Sequence, residues 1–391
     1  MLPLHMRREE FDPHPELTGL LRQEGLVRVP TLFGGPDAWL VTRYDEVRDV
    51  LRDTETFSNA RSMELRLPEL PEPTPEEKAQ MSAGAMLMMD PPEHTRLRRM
   101  LTPEFTMRRI RRLEPRVTEI VHDHLDAMEA KGSPADLVTD FALPVPSLVI
   151  CELLGVPYED RVAFQERTAT IMDFARTPEE RLDAQREARV YMADMVARHH
   201  ASPGDDLLGM LIREHGHDLG VDELIGIGGL LLIAGHETTA NMLALGTLAL
   251  LRHPEQLARL DDHVDGAVEE LLRYLSILHA GAAKIATRDV VLSGTTIREG
   301  EVVILSLPAA NRDPAFVDDP GRLDIGRENL AHVAFGYGAH HCLGAPLARM
   351  EMRIAFPALF ARFPGLRETD PPAEFRPHHF VYGLTTLPVA W

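Results

Sequence analysis

The residue whose type and surroundings most clearly indicate a chemical role is Cys342, one of two cysteines in the chain. It lies in the ten-residue segment Phe335 to Gly344, which reads F-G-Y-G-A-H-H-C-L-G, and a helical pattern from Ala345 to Phe363 follows at once. Alternate glycines allow tight backbone turns. The cysteine is therefore expected at a helix N-terminus, where the helix dipole and free N–H groups favour a thiolate.

The residue types alone leave four roles open for Cys342. A thiolate nucleophile would use His340 or His341 as its base. A zinc site would combine the same histidines with the cysteine, although adjacent side chains rarely point at one metal and no C-x-x-C pair accompanies them. Axial ligation of haem iron is the third role. A buried, inert cysteine is the fourth and is the commonest fate of a lone cysteine.

The same segment resembles the haem-binding loop of the cytochrome P450 family, F-G-x-G-x-H-x-C-x-G, at every fixed position. The resemblance extends from about residue 30 to the C-terminus. It implies a haem b whose iron, the metal of the site, is bound by Cys342. It also implies that Phe335, His340 and Gly344 contact the cofactor, with His340 at a haem propionate.

A second motif is E-L-L-R at Glu270 to Arg273, which matches the family's E-x-x-R. A Glu and an Arg three positions apart share one helix face. The alternative is a solvated surface pair of small energetic value. In the family the pair is buried and structural, and a third arginine joins it. The resemblance suggests Arg322 for this third position, with Arg327 as the fallback.

A long apolar run extends from Leu224 to Leu251. Its length would satisfy a membrane span, but His236 and Glu237 lie in its middle, where a charge is costly in lipid. We therefore predict a buried core helix. The stretch from Ala234 to Thr238 matches the family's (A/G)-G-x-(D/E)-T, which implies that Glu237 and Thr238 are catalytic and supply protons to bound oxygen.

A basic stretch after Asp90 resembles the family's D-P-P-x-H-x-x-x-R and supplies His94 and Arg98, which lie on one helix face. Cations suit haem propionates, and arginine suits carboxylates particularly. The alternative is a solvated basic helix. Lys284 stands where the family usually has a propionate-binding arginine, so we expect it to bind a propionate as a point charge.

Composition excludes several classes of protein. The 391 residues carry 41 basic and 61 acidic side chains, for a net charge of −20, which argues against a general binder of nucleic acids or anionic membranes. A hydrophobic content of 44% excludes disorder of the whole chain. Two cysteines and no signal-peptide pattern predict a cytoplasmic protein without a membrane anchor.

The fold class predicted is mainly α with a small β portion, the cytochrome P450 fold, in a single domain over residues 1–391. Alternation predicts short strands from Ile285 to Leu292 and from Val302 to Leu305, with a turn at Ser293 and Gly294. The Pro/Glu-rich residues 61–84 predict a long surface loop. Pro357 should kink the helix after Cys342 or end it early.

These features together predict a soluble bacterial haem-thiolate monooxygenase that takes O2 and electrons from a separate ferredoxin and ferredoxin reductase. It would hydroxylate or epoxidise a mostly apolar secondary metabolite, such as a polyketide, a macrolide or a modified peptide. The side chains expected to line its pocket are largely apolar. They are Met86, Leu87, Met172, Phe174, Ala234, Ile277, Leu278 and Tyr382.

Two other functions remain open from the sequence. One is a haem-thiolate enzyme that uses peroxide or does not insert oxygen, although such members tend to lack the acid–alcohol pair that Glu237 and Thr238 form. The other is a non-catalytic haem sensor, which would need neither that pair nor a redox-partner surface.

Arginines crowd residues 96–116 and predict a docking surface for an acidic ferredoxin on the cysteine side of the haem. The candidates are Arg96, Arg99, Arg109 and Arg112. The alternative is that these arginines only solvate their helix.

Overall fold

The computed structural model describes residues 2–64, 72–328 and 330–391. Helices dominate this part of the chain, as predicted. Its α-helices are α1 (Pro15–Gly19), α2 (Tyr44–Arg52), α3 (Pro75–Ser82), α4 (Glu93–Leu101), α5 (Met107–Ile110), α6 (Glu114–Lys131), α7 (Pro144–Leu154), α8 (Arg161–Met172), α9 (Pro178–Ala201), α10 (Leu207–His215), α11 (Val221–Arg252), α12 (Pro254–Leu257), α13 (Val264–Leu275), α14 (Leu307–Ala310) and α15 (Ala345–Arg362).

The β portion is small, again as predicted. Its largest sheet has the strand order β3-β4-β10-β7-β5, in which β10 runs parallel to β4 and antiparallel to β7. The strands are β1 (Arg8–Glu9), β2 (Asp12–Pro13), β3 (Val27–Val29), β4 (Ala38–Val41), β5 (Phe57–Ser58), β6 (Ala135–Asp136), β7 (Ala282–Ala286), β8 (Val290–Leu292), β9 (Thr295–Ile297), β10 (Val302–Leu305), β11 (Arg367–Glu368), β12 (Glu374–Phe375), β13 (Leu384–Thr386) and β14 (Pro388–Ala390).

The long apolar run forms α11, a helix of 32 residues at the centre of the main hydrophobic core. It packs against α7, α9, α13 and α15. Every residue from 239 to 250 is buried, so this half of the helix is covered on all sides. None of the helices formed by the described residues combines the length and the apolar character needed to cross a membrane.

The predicted strand from Ile285 to Leu292 is two strands, β7 and β8. Residues 287–289 separate them, and β7 begins three residues earlier than predicted, at Ala282. Ser293 and Gly294 join β8 to β9 in an antiparallel hairpin, and both have positive φ (51° and 73°). Positive φ at both central residues is the backbone that two-residue hairpins favour.

The predicted loop at residues 61–84 is only partly correct. Residues 65–71 lie outside the part of the chain that the structure describes. The remainder contains α3, which is capped reciprocally. The amide of Glu77 donates to Thr74 Oγ1 at 3.2 Å, and the amide of Thr74 donates to Glu77 Oε2 at 2.9 Å. This capping box overrides the loop-like Pro/Glu composition.

Pro357 was predicted to kink its helix or to end it early, and the early end does not occur. Helix α15 continues through Pro357 to Arg362. Phe356 and Leu359 on either side are fully buried, and the helix packs against α6, α11 and α13. Tertiary packing therefore compensates for the backbone hydrogen bond that the proline cannot donate.

Candidate active site

The loop that carries Cys342 is fixed by its backbone. The amide of Cys342 donates to the carbonyl of Phe335 at 2.9 Å. Gly336 and Gly338 have φ of 71° and 74°, a conformation that other residues rarely adopt. A Cβ at Gly338 would also lie 3.1 Å from backbone atoms of α2. The glycines of the motif thus let the loop turn and rest against α2.

The Cys342 sulfur lies where α15 begins. Burial raises the pKa of the thiol, while the amides of Gly344 and Ala345 and the guanidiniums of Arg98 and Arg349 act to lower it. Burial is the stronger effect, so a stable thiolate here needs a cation at the sulfur. The described residues contain no group of three or more His, Cys, Asp or Glu side chains that could hold a metal ion. They therefore do not assemble the multi-ligand zinc site that the sequence left open.

Four basic side chains gather beside this loop, and we call them the cation cluster: His94, Arg98, Lys284 and His340. The imidazole rings of His94 and His340 are 4.1 Å apart between centroids. All four of their ring nitrogens are buried and have no hydrogen-bond partner among the described residues. Orphaned buried nitrogens of this kind are rare in folded proteins and call for an explanation.

The charges of the cation cluster repel one another. The pKa of His340 is lowered to about 3, mainly by burial and then by His94 and Lys284. Burial, followed by Arg98, lowers the pKa of His94. Burial also lowers the pKa of Lys284 to about 8, and its Nζ donates to Asn59 Oδ1 at 2.7 Å.

An acidic ligand would relieve this arrangement. Asp90 offsets part of the charge, but it already accepts hydrogen bonds from Ser58 and Asn59. Unsatisfied donors and excess positive charge next to Cys342 match what a haem requires, namely a thiolate for iron and cations for two propionates. The residues present therefore fit this cofactor.

A second buried cluster, which we call the carboxylate–arginine cluster, consists of Glu270, Arg273 and Arg327. Arg273 donates to both oxygens of Glu270 at 2.7 Å, and both side chains are fully buried. Its remaining donors reach the carbonyls of Asn311 and Pro320 at 3.0 and 2.9 Å. The E-x-x-R pair is thus a buried contact and not a solvated surface pair.

The choice of Arg322 as the third arginine is wrong, and Arg327 occupies that place. Arg327 Nε lies 3.2 Å from Glu270 Oε1. Arg322 is exposed and contributes only its carbonyl, which accepts from Arg273 at 3.2 Å. A turn closed by the Arg322 amide on the Asp319 carbonyl directs the backbone inward and the side chain outward.

Helix α11 presents one accessible stripe in its first half. Leu230, Ala234 and Thr238 follow one another at intervals of four; Ala234 is exposed, and Leu230 and Thr238 are half-buried. Residues at this spacing lie on one helix face. Thr238 Oγ1 donates to the carbonyl of Ala234 at 2.8 Å, a bond back to the preceding turn that local helix geometry favours.

Glu237 is buried next to this stripe. Its Oε1 accepts hydrogen bonds from Arg376 at 2.8 Å and from Asn241 Nδ2 at 3.1 Å, and its Oε2 is 4.0 Å from His236 Nε2. Burial would raise the pKa of Glu237, but the effects of Arg376, then His236, His379 and the hydrogen bond from Asn241, together hold the pKa below its usual range. Sequence reasoning missed Arg376, which is 139 residues away. It also missed Asn241, although Asn241 is one turn from Glu237.

The predicted pocket residues separate into groups. Met86 and Ile277 are buried in the main core, Leu278 packs at its edge, and Leu87 is 50% exposed. The other members lie near the stripe or beside the C-terminal turn at residues 376–380. They are Ala234 in the stripe, and Met172 and Phe174, whose backbones bond to that turn.

Tyr382 does not have the free polar tip of a pocket residue. Its hydroxyl donates to the carbonyl of Glu10 at 2.7 Å, and the Arg8 guanidinium lies 4.6 Å from its ring centroid. The side chain therefore ties the C-terminal region to the N-terminal strands.

Comparison with known proteins agrees with this geometry. The family model described as Cytochrome P450 matches residues 28–219 and 263–387. The chain belongs to the cytochrome P450 family. This P450 is 46% identical to Cytochrome P450 FAS1 of Rhodococcoides fascians, over 100% of this chain and 98% of that protein. It is 43% identical to Nocardicin C N-oxygenase of Nocardia uniformis subsp. tsuyamanensis, over 97% and 96% of the two chains.

The fold of this P450 is also that of a solved relative. The structure of P450 StaH from glycopeptide antibiotic A47934 biosynthesis aligns with a TM-score of 0.87 and 43% identity over 100% of both chains. Membership of the family makes the protein an oxidoreductase of the monooxygenase type. Such an enzyme works with haem iron, O2, an organic substrate and redox partners.

Proposed function

We propose that this P450 is a monooxygenase that inserts one oxygen atom of O2 into a mostly apolar small molecule, by hydroxylation or epoxidation. The second oxygen atom leaves as water, with two electrons from a redox partner and two protons. The observation that carries the proposal is the set of orphaned His94 and His340 nitrogens beside Cys342. That donor set fits a haem b, which when bound supplies the binding and activation of O2.

The chain's residues divide the work of holding the cofactor. Cys342 would hold the haem iron as a thiolate, and the positive charge near its sulfur would stabilise that form. His94, Arg98, Lys284 and His340 would pair with the haem propionates. Phe335 and Gly344 would contact the haem, and Arg349 supports Phe335 with its guanidinium 4.6 Å from the ring centroid.

Proton supply is the role of Glu237 and Thr238. The Glu237 carboxylate has one oxygen fixed by hydrogen bonds and its Oε2 free of a hydrogen bond among the described residues. The Thr238 hydroxyl is anchored on Ala234 and lies in the accessible stripe of α11. An intact acid–alcohol pair supports oxygen insertion over the peroxide-using alternative.

The substrate class is a secondary metabolite such as a polyketide, macrolide or modified peptide. Support comes from the apolar side chains near the stripe and the C-terminal turn. It also comes from the names of two relatives, a nocardicin C N-oxygenase and a P450 from glycopeptide antibiotic biosynthesis. We also propose that the chain folds as a single domain and works in the cytoplasm. Its two free cysteines suit a reducing compartment.

Electrons come from an acidic ferredoxin and its reductase. Of the predicted docking arginines, Arg96 is paired with Glu223, and Arg109 donates to Glu104 at 2.8 Å. Arg99 and Arg112 are exposed and have no ion pair with any described residue. These two are therefore the arginines available for an acidic partner.

The test of the proposal is a reconstituted turnover assay. Candidate apolar metabolites are first screened for a shift of the haem spectrum, and the best is incubated with NADPH, a [2Fe–2S] ferredoxin, its reductase and O2. Product should require all four components. Product formed from hydrogen peroxide alone, at the same rate and without O2, would favour the alternative function.

A single substitution tests the proton-supply role in the same assay. Thr238→Ala should retain the binding shift while most NADPH is diverted to hydrogen peroxide, because the hydroxyl is lost. Thr239→Ala is the matched control, since Thr239 is the neighbouring threonine and is buried away from the stripe. Equal product per NADPH in Thr238→Ala and wild type would remove Thr238 from the mechanism.

A further inference from the structure

The buried carboxylate of Glu237 belongs to a closed hydrogen-bonded ring with Arg376 and Asn241. Arg376 donates to Glu237 Oε1 at 2.8 Å and to Asn241 Oδ1 at 2.6 Å. Asn241 Nδ2 completes the ring at 3.1 Å from Oε1 and also bonds the carbonyl of Glu237 at 2.7 Å. The A-G-x-E-T motif contains neither partner.

A glycine lets the backbone cover this ring. A Cβ at Gly383 would lie 1.5 Å from Asn241 Oδ1 and 3.2 Å from an Arg376 nitrogen. The amide of Arg376 donates to the carbonyl of Gly383 at 2.9 Å. The segment that joins β12 to β13 is therefore pressed onto the ring, and Arg376 is fixed at its backbone as well as at its guanidinium.

The same segment is bonded to the end of α8. The amide of Phe380 donates to the carbonyl of Met172 at 2.9 Å, and the amide of Phe174 donates to the carbonyl of His378 at 2.7 Å. Met172 and Phe174 are predicted pocket residues. The support of Glu237 and one wall of the proposed pocket thus share the C-terminal turn at residues 376–380.

We infer that Arg376 is a positioning residue for oxygen activation, because with Asn241 it fixes Oε1 of Glu237 and leaves Oε2 to exchange the protons. This inference rests on the proposed function. Each proton that reaches Oε2 from bulk solvent, relayed by water, is passed toward the Thr238 hydroxyl, and the carboxylate returns to its ionised form. The other titratable groups that face Glu237 are His236, whose Nε2 lies 4.0 Å from Oε2, and His379, and burial lowers the pKa of both. Arg376 is therefore the cation that remains charged at neutral pH, and without it burial favours a protonated carboxyl that cannot accept the next proton.

A merely structural role for Arg376 predicts something different. A buried ion pair that only held the C-terminal turn to α11 would affect stability when broken. It would leave the ionisation of Glu237 without functional consequence. The two roles are separated by a readout that follows the charge in the distal pocket and not the stability of the protein.

The experiment compares Arg376→Gln and Arg376→Lys with Arg367→Gln, an exposed arginine of the same C-terminal region. The CO stretching frequency of the reduced, CO-bound holoprotein is recorded against pH, since it responds to nearby charge. In Arg376→Gln the titration midpoint should rise by about one pH unit or more, a tenfold change in the ionisation constant. Arg376→Lys should restore most of the wild-type behaviour, and Arg367→Gln should match wild type.

A second readout is hydrogen peroxide formed per NADPH consumed, with a surrogate ferredoxin and its reductase and no substrate. It should rise several-fold in Arg376→Gln at neutral pH and much less in Arg376→Lys. The inference is overturned if Arg376→Gln matches Arg367→Gln in both readouts, or if Arg376→Lys is no better than Arg376→Gln. If Arg376→Gln does not fold, Asn241→Ser weakens the same ring and should give a smaller shift in the same direction, whereas an unchanged midpoint overturns the inference.

Glu237→Gln separates this inference from the proposed function. It should abolish the titration and raise the peroxide yield. If Glu237→Gln raises the yield and Arg376→Gln does not, only the role of Arg376 is wrong. If Glu237→Gln leaves the yield unchanged, the proton-supply role of Glu237 fails as well.

Discussion

Two buried groups of charged side chains in this P450 differ in how their hydrogen-bonding atoms are used. In the carboxylate–arginine cluster, both oxygens of Glu270 accept hydrogen bonds from Arg273, and the other Arg273 donors bind backbone carbonyls. In the cation cluster, the ring nitrogens of His94 and His340 are buried without partners, and the nearby charges are mostly of one sign.

The difference separates groups that stabilise the fold from groups that await a ligand. A buried polar group with partners is compensated by them. Buried groups of like charge cost stability until an opposite charge arrives. Most members of both clusters can be predicted from sequence motifs. Only the hydrogen bonds in the structure show which cluster has its polar atoms satisfied without the cofactor.

The largest effect is expected from breaking the complete cluster. Glu270→Gln leaves the fully buried Arg273 and the partly buried Arg327 without a carboxylate, and it should destabilise the protein by about 3–5 kcal/mol, a large part of its stability. Urea unfolding of the purified protein measures the loss. Arg322→Gln is the control, since its side chain is exposed and its carbonyl is retained, so a change within about 0.5 kcal/mol is expected. Equal stability of the two variants would refute the assignment of Glu270 to the fold.

A smaller effect is expected when Lys284 is replaced, and it should stabilise the apoprotein but weaken haem retention in the holoprotein. Its pKa is about 8 in the folded chain against an ordinary value of 10.5, so protonation favours unfolding. The free energy of unfolding of the apoprotein should therefore rise between about pH 8 and 10.5, by about 3 kcal/mol. Lys284→Met should lack this rise and be the more stable apoprotein at neutral pH.

In the holoprotein, replacing Lys284 by an uncharged residue should be unfavourable. Lys284→Met should lose haem to apomyoglobin several-fold faster than wild type, and Lys284→Arg should retain it, because the propionate needs the charge. Identical pH profiles of stability in wild-type and Lys284→Met apoproteins, together with equal haem loss, would place Lys284 outside the cation cluster.

The smallest effect on stability is expected at Arg99 and Arg112, which have neither a buried partner nor a buried ligand. Arg99→Glu and Arg112→Glu should leave stability and dithionite reduction unchanged but slow reduction by ferredoxin, with the difference shrinking at high salt. Stopped-flow reduction measures this, with Arg22→Glu as an exposed control. Rates insensitive to the reversals and to ionic strength would move the docking surface elsewhere.

Features encoded by local spacing could be predicted from the sequence. The Cys342 loop and the Glu270–Arg273 pair follow from residues close together in the sequence, and α11 follows from one continuous apolar run. The third arginine could not be predicted, because the direction of one turn decided between Arg322 and Arg327. The Glu237–Arg376 contact joins residues 139 positions apart and leaves no local pattern.

The existence of α3 and the length of α15 were predicted less well for a similar reason. The capping box of α3 outweighed a proline-rich composition, and packing on α6 and α11 carried α15 through Pro357. Local propensity is a weak guide where reciprocal caps or buried neighbours supply the larger energy.

The central claim is that Cys342 binds haem iron as a thiolate, and the absorption spectrum of the reduced, CO-bound protein tests it most directly. Thiolate ligation predicts a strongly red-shifted Soret band that is lost in Cys342→His, while Cys151→Ser keeps it because Cys151 is buried elsewhere in the core. A Soret band of the histidine-ligated type in the wild-type protein would contradict the account.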